Sequence, residues 1–114
     1  MNRTAKVWGH SDRIEWNPFM SFHRAAVNAG YRCSKHLHVN KWNGFFVESG
    51  SLNIVVYDEN DMQTVTGLEA GQYLSVPPGV KHRFESIEDT VLFEIYWPAE
   101  QVEDIVRDDE GGRL

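Results

Sequence analysis

Seven short runs of apolar or alternating residues, each bounded by turn-forming sequence, constrain this chain more than any other feature. The runs cover 19–27, 33–38, 45–47, 52–57, 73–76, 82–85 and 91–97. They are separated by Asn28-Ala29-Gly30, Asn43-Gly44, Ser49-Gly50, Asp58-Glu59-Asn60-Asp61, Ala70-Gly71, Pro77-Pro78-Gly79 and Glu88-Asp89. Gly and Pro interrupt regular structure, and Asn and Asp stabilise turns through their side chains. Runs this short between such signals read as strands. Leu52, Ile54 and Val56 alternate with Ser51, Asn53 and the mixed pair Val55 and Tyr57, as in a strand with one face in a core. The pattern predicts an all-β sandwich or barrel. Near the end, Val102, Ile105 and Val106 fall at i, i+3 and i+4 within acidic sequence, which predicts a short C-terminal helix or turn on the barrel. The segment Asp108-Asp109-Glu110-Gly111-Gly112 is expected to be mobile.

A chain of 114 residues suits one core, so residues 1–114 are expected to form a single domain. With 11 Lys and Arg against 17 Asp and Glu, the net charge is −6. No basic stripe offsets that charge, which argues against nucleic acid as a partner. The single cysteine, Cys33, has no partner for an internal disulfide and suits a reducing compartment. Its place in an apolar run predicts a small buried side chain rather than a reactive thiol. No apolar signal region or membrane-length run is present, so the expectation is a soluble, cytoplasmic protein without a membrane partner.

The chemistry concentrates in His36-Leu37-His38 and in His82, which follows Pro77-Pro78-Gly79. Histidines at i and i+2 on a strand point to the same face. A third imidazole from another strand completes a metal site with open coordination positions. A Pro-Gly turn fixes how the next strand enters the fold and therefore where His82 points. The bland alternative is a pair of polar histidines decorating a barrel mouth.

The spacing around these histidines resembles the cupin superfamily. Gly30, five residues, His36, one, His38, four, Asn43, six, Gly50 follows the first cupin motif, over 30–50. Gly71, five, Pro77, one, Gly79, two, His82, three, Ser86 follows the second, over 71–86. The resemblance implies a cupin double-stranded β-helix, or jelly-roll barrel. It also implies a divalent transition metal, Zn, Fe, Mn or Ni, held by His36, His38 and His82. Two positions depart from the pattern: Asn43 replaces the usual metal-binding Glu, and Ser86 replaces an Asn found in many cupins. Asn43 is expected near the metal as a weak ligand, as a partner of metal-bound water, or outside the ligand set. The last two are favoured because a neutral amide is a poor substitute for a carboxylate.

Glu48 is excluded as the replacement, because it lies on the opposite strand face. Glu94 interrupts the apolar run 91–97 and is the better candidate carboxylate, if it faces inward; a buried carboxylate requires a cation or several donors. His23 or Arg24 offers a base or an anion clamp at the barrel mouth, but neighbours on a strand face opposite ways, so at most one points in. Glu94 and His23 are the candidate catalytic residues. His10 is expected in solvent, and Trp42 near a ligand. The other aromatics are expected in the core or in a homodimer interface built on Val7-Trp8 and Trp16.

A narrower resemblance rests on Trp8-Gly9, His23-Arg24 ahead of Gly30, and Asp104-Ile105-Val106-Arg107. These match the cupin domains of type II mannose-6-phosphate isomerase/mannose-1-phosphate guanylyltransferase proteins, and imply a sugar or sugar phosphate as ligand and an isomerase-like activity. Three neutral ligands leave the charge of a divalent ion uncompensated, which favours a small anionic or sugar-type metabolite, such as a carboxylate. Two alternatives stand beside this: an Fe-dependent three-histidine dioxygenase, and a non-catalytic small-ligand-binding module.

Overall fold

The computed structural model describes residues 2–98 and 104–114, which contain thirteen strands and no helix. In chain order these are β1 (Asn2–Lys6), β2 (Gly9–Asn17), β3 (Met20–Val27), β4 (Tyr31–Arg32), β5 (His36–His38), β6 (Trp42–Ser49) and β7 (Ser51–Tyr57). They continue with β8 (Gln63–Glu69), β9 (Tyr73–Val76), β10 (His82–Ser86), β11 (Thr90–Trp97), β12 (Ile105–Arg107) and β13 (Gly112–Arg113). One sheet has the order β1-β2-β3-β11-β6-β9. In the other, β10 pairs with β7 along one edge and with β4 and β5 along the other, while β8, β12 and β13 extend it. Every strand pairing among the described residues is antiparallel. Two facing antiparallel sheets make the β-sandwich expected from the turn spacing, in the jelly-roll form that the cupin resemblance implies.

The core lies between the sheets. Ala25, Val47, Ile54 and Leu92 are fully buried, and Phe45, Leu52 and Phe84 nearly so. Alternation is the cause: β6 buries Asn43, Phe45 and Val47 and exposes Trp42 and Phe46. Polar groups close the end of the core opposite the histidines, where Ser86 Oγ and Thr90 Oγ1 both donate to the Ser51 carbonyl at 2.8 Å. Ser86 thus anchors a turn where many cupins have Asn.

Three expectations need correction. The C-terminal helix or turn is a strand at Ile105–Arg107, paired with β5, and Val102 lies outside the described residues. The open edge of β5 offers unpaired backbone groups, and Ile105 and Val106 suit a strand, so pairing outweighs a helical period resting on three residues. The tail at 108–112 is docked rather than mobile. Asp108 N–H donates to the Lys35 carbonyl at 2.8 Å, Arg83 pairs with Asp109 at 2.5 Å, and β13 pairs with β4. Trp8, expected at a dimer interface, is buried in its own core and meets Phe84 edge-on at 5.0 Å. In addition, only His36–His38 of the run 33–38 is strand, as β5, and Cys33 lies between it and β4 at Tyr31–Arg32.

Candidate metal centre

The histidine strand and the Pro-Pro-Gly turn are tied together by backbone. Gly79, at φ +80, donates its N–H to the His38 carbonyl at 2.7 Å. A positive φ at this corner suits glycine. The turn delivers β10 with His82 directly opposite His36 in the ladder. His36 and His38 are both buried, with Leu37 between them half-exposed, so the i, i+2 rule holds. Ring centroids lie 5.0 Å apart for His36 and His38, 4.6 Å for His36 and His82, and 5.7 Å for His38 and His82. One ligand atom from each of the three falls within 4.8 Å of the others.

The cluster fits a divalent transition metal on its own chemistry. Burial pushes His36 down to about 3 and His82 to about 4, with the neighbouring imidazoles adding to the effect; His38 is lowered as well. All three are therefore neutral near pH 7, the form that ligates metals. Each Nδ1 of His36 and His82 has a backbone acceptor, Ser34 O at 2.7 Å and Val80 O at 2.9 Å. That contact fixes the Nδ1–H tautomer and leaves Nε2 as a lone pair. Both ring nitrogens of His38 are buried without a hydrogen-bond partner among the described residues. A buried imidazole nitrogen left alone is costly in a metal-free fold, and an ion satisfies the one that faces His36 and His82.

Asn43 is 1% exposed, and its Oδ1 lies 3.2 Å from His82 Nε2. With the His82 proton on Nδ1, two lone-pair atoms face each other, an arrangement that suits a shared cation. Its Nδ2 donates to Glu94 Oε2 at 3.4 Å, and the Tyr96 hydroxyl donates to the same oxygen at 2.5 Å. Glu94 is thus inward and 5% exposed, with its proton affinity raised by burial against the opposing pull of Tyr96 and Asn43. Tyr96, two residues from Glu94 on the same face, is a site residue that alternation in the run 91–97 would have revealed.

His23 also faces inward. It is the ladder partner of Glu94, and its ring stands edge-on to Tyr96 at 5.5 Å. Burial first, then Arg13, Lys6 and Lys41, lowers it to about 4. Arg24 points away and pairs with Glu48 at 2.9 Å, which places Glu48 outside the site. His36, His23, Glu94 and Tyr96 line a cavity of about 500 Å³, together with Lys6 and Arg107. Cys33 lines it too; burial raises its thiol far above the ordinary range and keeps it protonated. His10 is half-exposed on β2. Trp42 does not approach the cavity. Because Asn43 faces in, Trp42 faces out, and it stacks on Trp97 at 5.9 Å and 9°.

Among solved structures, oxalate decarboxylase from Bacillus subtilis is similar with a TM-score of 0.82 and 12% identity, over 94% of this chain and 30% of that one. The chain thus spans less than a third of that relative. KdgF from Halomonas sp. gives a TM-score of 0.70 and 14% identity, over 81% of this chain and 80% of that one. A cupin-2 domain-containing protein from Shewanella frigidimarina gives 0.63 and 24%, over 75% and 76%. At these identities the likeness establishes the fold. No curated protein matches the chain. The Cupin domain family model matches residues 23–97, from the strand carrying His23 to the end of the strand carrying Glu94. That is well over half of the sequence and includes all three histidines, and the chain belongs to the cupin family.

Proposed function

We propose that this cupin uses a divalent transition metal at His36, His38 and His82 to act on a small anionic or sugar-type metabolite, with Glu94 and His23 moving a proton. The observation that carries this reading is a neutral three-imidazole cluster whose His36 lines the same cavity as an inward-facing, protonatable Glu94. The metal, when bound, supplies Lewis acidity toward an oxygen of the ligand. Lys6 and Arg107 line the cavity together with Glu94 and Glu110, so the preference for an anion comes from a divalent ion whose charge three neutral imidazoles leave uncompensated. Glu94 and His23, facing each other across β11 and β3, form an acid-base pair of the kind that an isomerisation requires. Tyr96 holds the reactive carboxyl in place at 2.5 Å. Oxalate decarboxylase and an oxalate oxidase bound to glycolate are relatives named for small carboxylates, which supports the same ligand class. The Trp8-Gly9 and Asp104-Ile105-Val106-Arg107 matches support a sugar or sugar phosphate.

The test is a thermal-shift panel of sugar phosphates, sugar acids, small dicarboxylates, thiols and aromatic acids on metal-loaded and stripped protein, followed by solvent-deuterium incorporation into the best ligand. The expected result is metal-dependent stabilisation by an anionic sugar or carboxylate. Deuterium uptake should then be lost in Glu94→Gln. Thiol- or aromatic-acid-specific stabilisation with oxygen consumed in the presence of Fe(II) moves the assignment to a dioxygenase. Stabilisation without deuterium uptake or turnover makes the protein a binding module. We further propose a homodimer, supported by the aromatic outer face of the first sheet, where Trp42, Phe46 and Tyr73 are each more than a third exposed.

A further inference from the structure

Two of the three clustered histidines are oriented by backbone carbonyls, and the third is not. His36 Nδ1 has Ser34 O at 2.7 Å and His82 Nδ1 has Val80 O at 2.9 Å. Among the described residues, no carbonyl hydrogen-bonds the His38 ring. Its Nδ1 instead faces Asp104 Oδ1 at 3.6 Å, just beyond hydrogen-bond range, and each of these two atoms is buried and without a hydrogen-bond partner among the described residues. Two unsatisfied buried polar atoms that face each other, one able to donate and the other only to accept, are satisfied together by a small rotation of either side chain.

Asp104 is held for this task from several directions. Its side chain is 8% exposed, and its Oδ2 accepts the Asn40 N–H at 2.8 Å. Its backbone carbonyl accepts the Val39 N–H at 3.1 Å, and the next residue, Ile105, pairs with His38 in the ladder. Lys41 Nζ lies 3.7 Å from Oδ1, a cationic group that keeps the carboxylate ionised. The Asn40 amide, with Lys41 and His38, lowers the carboxyl despite the opposing effect of burial.

We infer that Asp104 is the positioning residue of the metal centre, fixing His38 with its proton on Nδ1 and its Nε2 lone pair turned toward His36 and His82. This inference rests on the metal-binding reading above. Among the described residues, Asp104 is the carboxylate that faces a ring nitrogen of the neutral three-imidazole set, and it acts through an imidazole rather than at the ion. A carboxylate behind a ligating histidine raises the basicity of the ring, so His38 is the strongest donor of the three. It also explains why a set lacking the usual glutamate retains a divalent ion: one negative charge remains within reach, delivered from β12 rather than from position 43.

The test uses the full chain as wild type, Asp104→Ala, Asp104→Asn and His82→Ala. Each protein is stripped with a chelator and titrated with Zn(II) against a chromogenic competitor. The imidazole tautomers of the metal-free proteins are read separately by long-range nitrogen–proton NMR. Asp104→Ala should weaken Zn(II) binding by about 10- to 100-fold. It should also shift His38 away from the Nδ1–H tautomer while His36 and His82 keep theirs. Asp104→Asn retains an acceptor oxygen, so it should keep the tautomer and recover part of the affinity. If Asp104→Ala fails to fold, the inference is judged on the wild-type tautomer and Asp104→Asn: a wild-type His38 carrying its proton on Nε2 overturns it. Unchanged Zn(II) affinity and tautomer in Asp104→Ala also overturn it. Failure of the metal reading is a separate result, in which the wild type takes up no more Zn(II) than His82→Ala; the inference, which rests on that reading, then falls with it, and the tautomer measurement reports only the Asp104–His38 contact.

Discussion

Asn43, at the motif position where the cupin resemblance implies a metal-binding glutamate, meets Glu94 from the neighbouring strand. The amide keeps its oxygen 3.2 Å from His82, while the carboxyl sits behind it, hydrogen-bonded at 3.4 Å. Asn43→Glu would place two carboxyls side by side in a buried pocket, where they cannot both ionise without a cation. The variant should melt below the wild type when metal-free, yet gain more on adding metal and resist a chelator longer. Equal metal-induced gains in both proteins would count against Asn43 lying near the ion. His82→Ala should abolish stoichiometric metal, as measured by elemental analysis, while the far-ultraviolet spectrum stays that of a folded β protein. Most of this centre was legible in the sequence because it depends on local rules: His36 and His38 share a face by strand period, and the Pro-Pro-Gly turn aims His82. Asp104 was not, since its role depends on β12 pairing with β5, a contact no local pattern encodes.

Strands carried by apolar alternation, such as β7 and β11, were readable, whereas β1, β2 and β8 were not. All five residues of β1 are exposed, and β8 has one buried residue in its seven. Such edge strands are held by ladder hydrogen bonds to a neighbour and leave little hydrophobic signature. The two C-terminal strands belong to the same class, and their docking depends on a turn at Gly111. Its φ is +76, and a Cβ there would lie 2.6 Å from the Cys33 carbonyl carbon and 2.8 Å from the Arg32 oxygen. Both are backbone atoms that cannot give way cheaply. Gly111→Ala should therefore cost at least about 1–3 kcal/mol through strain. Hydrogen exchange should show Arg113 and Leu114 losing protection, with β3 and β11 unaffected. A stability within experimental error of wild type would mean that this turn rearranges freely.

Buried neutral histidines make the stability of the whole metal-free molecule depend on pH. His36, His82 and His23 titrate at about 3, 4 and 4 in the fold, against 6.5 for the ordinary side chain. Between those values the unfolded chain holds more protons than the native one, so stability is full above about pH 6.5 and falls as the pH drops toward 4. The loss reaches at most about 1.4 kcal/mol per pH unit for each imidazole. Calorimetry of stripped protein should show it; bound metal should raise stability throughout without moving the onset, which the imidazoles of the unfolded chain set, and should extend the decline below about pH 4, where protons compete with the ion for the native histidines. Association is the other property at this scale. The proposed homodimer should form through the outer face of the first sheet, where Phe22 meets Phe93 edge-on at 5.4 Å and Trp42 stacks on Trp97. Phe46→Glu should convert it to monomer in sedimentation experiments, whereas a wild type that sediments as a monomer at micromolar concentration would reject the dimer. No helix among the described residues is long and apolar enough to cross a membrane.

The four tryptophans sort themselves optically. Trp8 lines the cavity at 6% exposure, Trp42 and Trp97 lie nearly parallel on the outer sheet face, and Trp16 lies under the Arg13 guanidinium at 4.7 Å. Two indoles stacked this closely couple their electronic transitions, so the pair gives an exciton couplet in circular dichroism that vanishes when the first sheet comes apart. Trp8, sealed against Phe84, emits at the blue edge and is the indole whose fluorescence a molecule entering the cavity would perturb. One chain thus carries separate built-in optical reporters for the occupancy of its cavity and for the integrity of its outer sheet.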